Sequence, residues 1–368
     1  MDRREFLTIS TAGMAGTLAG IGPARAAEGT AAPPMNASWR TFEVVTDVEL
    51  WPQDTPAKVW LPLPLYRDSD YQRTLDIRWT GNASATGIYR DPKFGAPAYF
   101  AQWSERAAAP KLQVTTVIAT RNRSVDLAKP APTQYATREE LELYLQPTAH
   151  IPTDGIVRAT ASRILPMAGA STIERARAIY EWIVENTFRD PKVIGCGTGD
   201  IRFMLESGNL GGKCADLNAL FVGLARSAGI PARDVYGVRV ADSATWKSLG
   251  KSGDITKAQH CRAEFHHPTF GWVPVDPADV RKVVLEEPPG NLPVKDEKVI
   301  AARKRLFGSW EMNWLAYNMG HDVKLPNATK APTLPFLMYI NAEADGELRD
   351  QLEPDSVRYA ITSREVGA

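Results

Sequence analysis

Gly211-Gly212-Lys213-Cys214-Ala215-Asp216-Leu217-Asn218-Ala219-Leu220 is the stretch from which the fold is read. Two glycines make a turn that opens directly into a helix. The apolar spacing predicts that helix over 214–228, stopping at Gly229-Ile230-Pro231. Leu217, Leu220, Phe221, Leu224 and Ala228 share one face, so the helix is expected to be largely buried. Cys214 sits on the first turn, where backbone N–H groups have no helical partners and the macrodipole favours negative charge. A cysteine there ionises more readily than a free one. A buried cysteine is also a common small apolar filler, so position alone leaves two readings, core packing and nucleophile.

Upstream, Ser171-Thr172-Ile173-Glu174 reads as a capping box. Ile173, Ala176, Tyr180, Ile183 and Val184 lie on one face, which predicts an amphipathic helix over 172–187, ended by Asp190-Pro191. Downstream of Pro231 the period changes to two. Strands are predicted at Asp234–Val240, His260–Phe265 and Trp272–Asp276, the last ended by Pro277. The polar stretch 242–259 between the first two is long enough for a lid or a groove wall. Helices followed by an antiparallel sheet define an α+β fold rather than alternating βαβ units. Alternation places His260, Arg262 and Glu264 on one face of their strand and Cys261, Ala263 and Phe265 on the other, so Cys261 should point away from His260.

Thiol catalysis needs a partly ionised cysteine, an imidazole to exchange its proton, and a group that orients the imidazole. Cys214, His260 and Asp276 supply these types in order, and adjacent strands bring His260 and Asp276 within reach if the register matches. Cys214 after Gly-Gly-Lys at a helix start, His260 on a strand, and Gly271-Trp272-Val273-Pro274-Val275-Asp276-Pro277 together resemble the transglutaminase-like core, which is similar to the papain-like cysteine proteases. The resemblance covers roughly 170–285. It implies Cys214 as nucleophile, His260 as general base and acid, and Asp276 as the orienting group. It further implies an exported cysteine hydrolase acting on a peptide or isopeptide bond through a thioester. A protein-glutamine transglutaminase and a non-catalytic periplasmic binding or scaffold module on the same fold remain open. The chain departs from the family at Cys261-Arg262, where Ala-Trp is common, and this bears on the pocket. One oxyanion donor is expected at the Cys214 N–H; no residue marks the second.

Other residues carry less. His266 and His267 flank a turn without further ligands at metal spacing, so no metal site and no cofactor are expected. His150 and His321 stand singly and receive no role. Trp246 and Trp272 suit either a groove or the core. Asp216 and Asn218 are read as braces of the loop at the helix start. Cys196 and Cys261 could pair while Cys214 stays free. Three cysteines in all leave at least one thiol unpaired within the chain.

Met1-Asp2-Arg3-Arg4-Glu5-Phe6-Leu7, the small-residue run to Ile21 and Ala24-Arg25-Ala26 resemble a twin-arginine export signal over 1–26. A periplasmic or secreted location follows. No other apolar run reaches the ~18 residues of a membrane span, so no stable membrane insertion is expected. Trp39 to Arg123 shows short period-two runs (Phe42–Leu50, Lys58–Pro62, Leu75–Trp79, Leu112–Ile118) between turn residues. This predicts an N-terminal β-sandwich-like accessory domain over 38–125, serving as a support or a groove wall. The division then continues as a connector at 126–168 with a short helix near Glu139–Tyr144, the core at 169–285, and an extension at 286–368 that packs on the core and has a strand at Phe336–Ile340. The chain has 43 Lys+Arg and 43 Asp+Glu in 368 residues, which gives no electrostatic reason for a nucleic-acid partner. The expected partner is a protein or peptide substrate; composition is silent on oligomeric state.

Overall fold

The protein is described here by a computed structural model covering residues 38–50, 56–104, 109–129, 136–329, 333–344, 346–349, 352 and 357–367. Residues 1–26, read from the sequence as an export signal, lie outside the described residues. Among the described residues, β1 (Arg40–Glu49), β2 (Ala57–Pro62), β3 (Gln72–Gly81), β4 (Ala85–Arg90), β5 (Pro97–Trp103) and β6 (Lys111–Thr120) come first. Helices α1 (Arg138–Leu143), α2 (Gly155–Ile164), α3 (Thr172–Asn186), α4 (Ile201–Ser207) and α5 (Cys214–Ser227) follow. Next come β7 (Ala232–Arg239), β8 (Gln259–His267) and β9 (Gly271–Val275), then α6 (Pro277–Glu286) and α7 (Glu297–Arg305). The chain closes with β10 (Trp314–Asn318), β11 (Asn341–Ala344) and β12 (Arg358–Val366).

Two antiparallel sheets stack as a sandwich. One runs β12-β1-β6-β3 with the short strand Gly253–Asp254 outside β12; the other runs β11-β2-β5-β4 with Glu347–Leu348 outside β11. Val48 and Val114 of the first sheet pack with Val59, Leu61 and Trp103 of the second. β4 and β5 escape the sequence reading. Gly95 and Pro97 mark a turn, yet Pro97 is tolerated as the first residue of a strand.

The α+β core is built on a third sheet, β9-β8-β7-β10, with α5 lying against β7 and β8. Twelve of the fourteen residues of α5 are buried, so it is a central helix enclosed on all sides and not merely an amphipathic one. The capping box at Ser171 and Glu174 forms as expected and starts α3. β1 and β6 are ten residues long and serve both layers. One end of their inner face, at Val48 and Val114, enters the sandwich. The other end, at Phe42, Val44 and Ile118, packs against Val238, Val240, Leu315 and Tyr317 of the core sheet. The N-terminal strands are therefore a rigid support for the core.

The C-terminal extension reaches the core through β10, which pairs with β7, but β11 and β12 pair with β2 and β1 and complete the sandwich. The strand expected at Phe336–Ile340 is absent; the strand lies at Asn341–Ala344. Phe336, Met338 and Tyr339 are drawn into the core around α5, so this segment follows that packing and not a ladder.

Candidate active site

Cys214 opens α5, and Asp216 holds the turn in front of it. Asp216 Oδ2 accepts from the Lys213 N–H at 2.9 Å, and Oδ1 accepts from the N–H groups of Thr198 and Gly199 at 3.0 and 2.9 Å. This brace requires glycine: a Cβ on Gly212 would stand 2.6 Å from the Asp216 Cβ, and one on Gly197 (φ +91°) would stand 1.8 Å from Oδ2. The Ala215 N–H donates to the Cys196 carbonyl at 2.9 Å, which fixes Cys196 beside the helix start.

The Cys214 thiol sits among Cys196, Cys261 and His260; Cys196 Sγ itself donates to the Gln259 carbonyl at 3.2 Å. Burial pushes the Cys214 thiol up, but these three polar neighbours and the charge on His260 outweigh it and hold Cys214 well below the ordinary cysteine range. Its neighbours move the other way. Cys196 is held well above that range by its hydrogen bond to Cys214 and by burial, and Cys261 by burial and then by Cys214.

His260 is 4% exposed. Its Nε2 lies 2.8 Å from Asp276 Oδ2 and 3.4 Å from Asp279 Oδ2, which leaves Nδ1 for the thiol. Its carbonyl accepts from Trp314 Nε1 at 2.9 Å. Burial and the charge of Arg239 would lower the imidazole, but Asp279 and Asp276 outweigh them and raise it to about 9. Both shifts favour the thiolate and imidazolium forms of the pair.

Asp276 is fully buried. It is the N-cap of α6 with Pro277 at the first helical position, not the end of β9. Its Oδ1 accepts from the Asp279 N–H at 3.0 Å and from Asn218 Nδ2 at 3.3 Å. Burial and the neighbouring Asp279 push Asp276 upward. Asp279 resists its own burial because Arg239 lies at 2.6 Å, and it stays well below the carboxylate range.

The departure at Cys261-Arg262 finds its explanation here. Arg262 does not enter the pocket. Its guanidinium stands behind Asp276 (Nε to Oδ2 3.7 Å) and over the rings of Trp314 and Trp310, at 4.7 and 5.5 Å. Cys261 faces the α5 side of the sheet, as alternation requires, and from there reaches Cys214. All three cysteines are free, so the Cys196–Cys261 pairing does not form; each thiol meets Cys214 instead. Asp216 braces the loop, whereas Asn218 reaches Asp276 and the Cys261 carbonyl.

A cavity of about 690 Å³ opens beside Cys214 and His260. One wall is the loop from Gly250 to Gln259; another is the C-terminal chain, through Tyr339 and Tyr359. Trp246 and Trp272 do not line it. Trp246 is in the core, and Trp272 lies under Arg233 at 3.8 Å. His266 packs on Trp272, His150 Nδ1 lies 3.0 Å from the Thr198 carbonyl oxygen, and His321 is buried beside Tyr236 and Asp234. Among the described residues, only His260, Asp276 and Asp279 have metal-ligand spacing. Arg239 and Arg262 already neutralise these carboxylates, so the donor set does not fit a cation.

Residues 158–277 match the family described as the transglutaminase-like superfamily. An uncharacterized protein of Haemophilus influenzae is 36% identical over 325 residues, 84% of this chain and 86% of that protein. The crystal structure of a candidate cysteine protease from Cytophaga hutchinsonii superposes with TM-score 0.55 at 13% identity, covering 90% of this chain and 92% of that one. The periplasmic domain of TgpA from Pseudomonas aeruginosa gives TM-score 0.33 at 17% identity, over 71% and 74% of the two chains. The chain belongs to the transglutaminase-like superfamily. No helix among the described residues is long and apolar enough to cross a membrane.

Proposed function

We propose that the protein is an exported cysteine hydrolase that cleaves a peptide or isopeptide bond through a thioester on Cys214. The observation that carries this reading is Cys214 at the start of α5 lining one cavity with His260, whose Nε2 is held by Asp276 at 2.8 Å. In this reading the thiolate attacks the amide carbon and the C–N bond breaks as His260 passes its proton to the leaving amine. Water, deprotonated by His260, then releases the acid and frees the thiol. The first-turn N–H of Cys214 supplies one donor to the developing oxyanion. An amine in place of water would cross-link; hydrolysis is preferred because bulk water competes unless a site excludes it. The export signal at 1–26 supports a periplasmic or secreted location.

Iodoacetamide tests the nucleophile. At pH 6 it should alkylate Cys214 first and much faster than a free thiol, as mass analysis would show. New amino termini should appear from peptide substrates and disappear in Cys214→Ala and His260→Ala. Alkylation of Cys214 at the rate of a free thiol would end the proposal.

A further inference from the structure

We infer that the groove beside Cys214 selects a peptide carrying carboxylates next to the scissile amide, and that its lysines and arginines do the selecting. This rests on the hydrolase reading above. The chain as a whole is neutral, with 43 cationic and 43 acidic residues, so an even mixture of charge is the expectation for any one groove. Here the described lining residues include seven Lys or Arg and no Asp or Glu, while Asp350, Glu353 and Asp355, which adjoin the lining residues Leu352 and Val357 in the sequence, lie outside the described residues. Of these, Arg239 is buried, Arg189, Lys213 and Lys282 are partly buried, and Lys251, Lys257 and Arg358 are exposed.

Arg189 has Glu286, the Cys214 thiolate and Asp279 as counter-charges and stays firmly ionised, so Lys282 is the enclosed cation with the weakest compensation. Arg239 is matched by Asp279 at 2.6 Å. Arg189 and Lys282 share one carboxylate, Glu286, at 2.5 and 3.6 Å, with only 14% and 18% of their side chains exposed. A partly buried cation without its own counter-charge is costly, and an anion in the groove removes that cost. Burial and the neighbouring Arg239 hold Lys282 below its ordinary range, as an unneutralised site requires. Lys213 and Arg358 make no ion pair among the described residues, and Lys251 and Lys257 have only the exposed Asp254 as a nearby counter-charge.

Under the hydrolase reading the acyl donor is an amide, which points to a peptide and not to a nucleic acid or a phosphate ester. The carboxylate has two sources, an acidic side chain or a free C-terminus. The same positive charge opposes entry of a lysine ammonium as acyl acceptor, which favours water and hydrolysis.

The test separates selectivity from catalysis. Fluorescent peptides of one length would carry Glu, Gln or Lys on both sides of a central amide. A further Gln pair would end in a free carboxylate or a carboxamide close to that amide. Binding is read by anisotropy on the full chain with Cys214→Ala, and hydrolysis on the unaltered chain. At low salt the Glu peptide should bind roughly fivefold or more tighter than the Gln peptide, and the Lys peptide weakest, with the preference shrinking as salt rises. Lys251→Glu with Lys257→Glu should cut the Glu-to-Gln ratio by about two- to fivefold per lysine. A preference for carboxylate over carboxamide in the Gln pair would assign the terminal source. Acid-selective binding without cleavage would leave this inference standing and remove the hydrolase reading. Equal binding of the Glu and Gln peptides, or cleavage without acid preference, would overturn the inference.

Discussion

Asp276→Asn isolates the charge that faces His260. Asparagine keeps the side-chain shape, and its carbonyl oxygen can still accept from Asp279 N–H at 3.0 Å and Asn218 at 3.3 Å, so α6 keeps its cap. The lost element is the negative charge 2.8 Å from Nε2. His260 is raised from 6.5 to about 9, which corresponds to about 3 kcal/mol of preference for the imidazolium. That figure is net: Asp276 and Asp279 raise it against burial and Arg239. If the two carboxylates share the gross effect about equally, losing one removes more than half of the net, at least about one pH unit. The sign follows directly. Imidazolium is the working form beside the thiolate, and it persists below the His260 pKa and is lost above it. The kcat/KM profile of the unaltered enzyme should therefore fall on its alkaline side near pH 9, and that limb should move down by about one unit or more in the variant. Loss of the orienting acceptor lowers kcat/KM further, on the order of 10²- to 10⁴-fold at the optimum. The assay is peptide hydrolysis from pH 5 to 10. An alkaline limb that stays near 9 in Asp276→Asn would refute the reasoning. Asp279, at 3.4 Å, would then be the carboxylate that sets His260, and the triad proposed here would be wrong.

Other perturbations separate positioning from stability. Asn218→Leu leaves the Cys261 carbonyl unpaired and removes a donor from Asp276, so urea unfolding should show a loss of about 1–3 kcal/mol together with lower activity. Gly212→Ala forces a Cβ against Asp216 and should cost about 1–3 kcal/mol while slowing iodoacetamide at Cys214, read by mass spectrometry. Trp314→Phe removes the donor to the His260 carbonyl; kcat/KM should fall while the alkaline limb stays in place, since neither carboxylate has moved. Glu264→Gln removes the buried counter-charge shared by Arg123 and Arg233, leaving Arg233 with Glu140 at 2.6 Å and Arg123 with Asp70 at 3.8 Å, and should cost about 3 kcal/mol without moving the pH profile of the folded fraction.

How much of this is legible in the sequence depends on how far each signal reaches along the chain. Gly-Gly-Lys before the α5 run is local, and so is the capping box at Ser171, so the Cys helix and α3 are readable to within a residue or two. The pairing of His260 with Asp276 follows from one hairpin with a short turn. Asp276-Pro277 carries two local meanings, strand stop and helix start. Taken as a stop, it hides α6, and with α6 go Asp279 at the imidazole and Lys282 on the groove wall. The N-cap followed by proline at the first helical position was the signal that could have recovered both. Tyr339 and Arg358 have no such signal. Tyr339 reaches the cavity because core packing overrides strand pairing at 336–340, and Arg358 because β12 joins β1 from more than 300 residues away. Arg262 reads as a pocket residue until β10 brings Trp314 beside it. The proposed catalytic groups thus lie within one local hairpin and one helix start, whereas the walls that choose a substrate come from contacts between distant parts of the chain. A sequence reading can therefore name the thiol chemistry and still miss the charge of the groove around it.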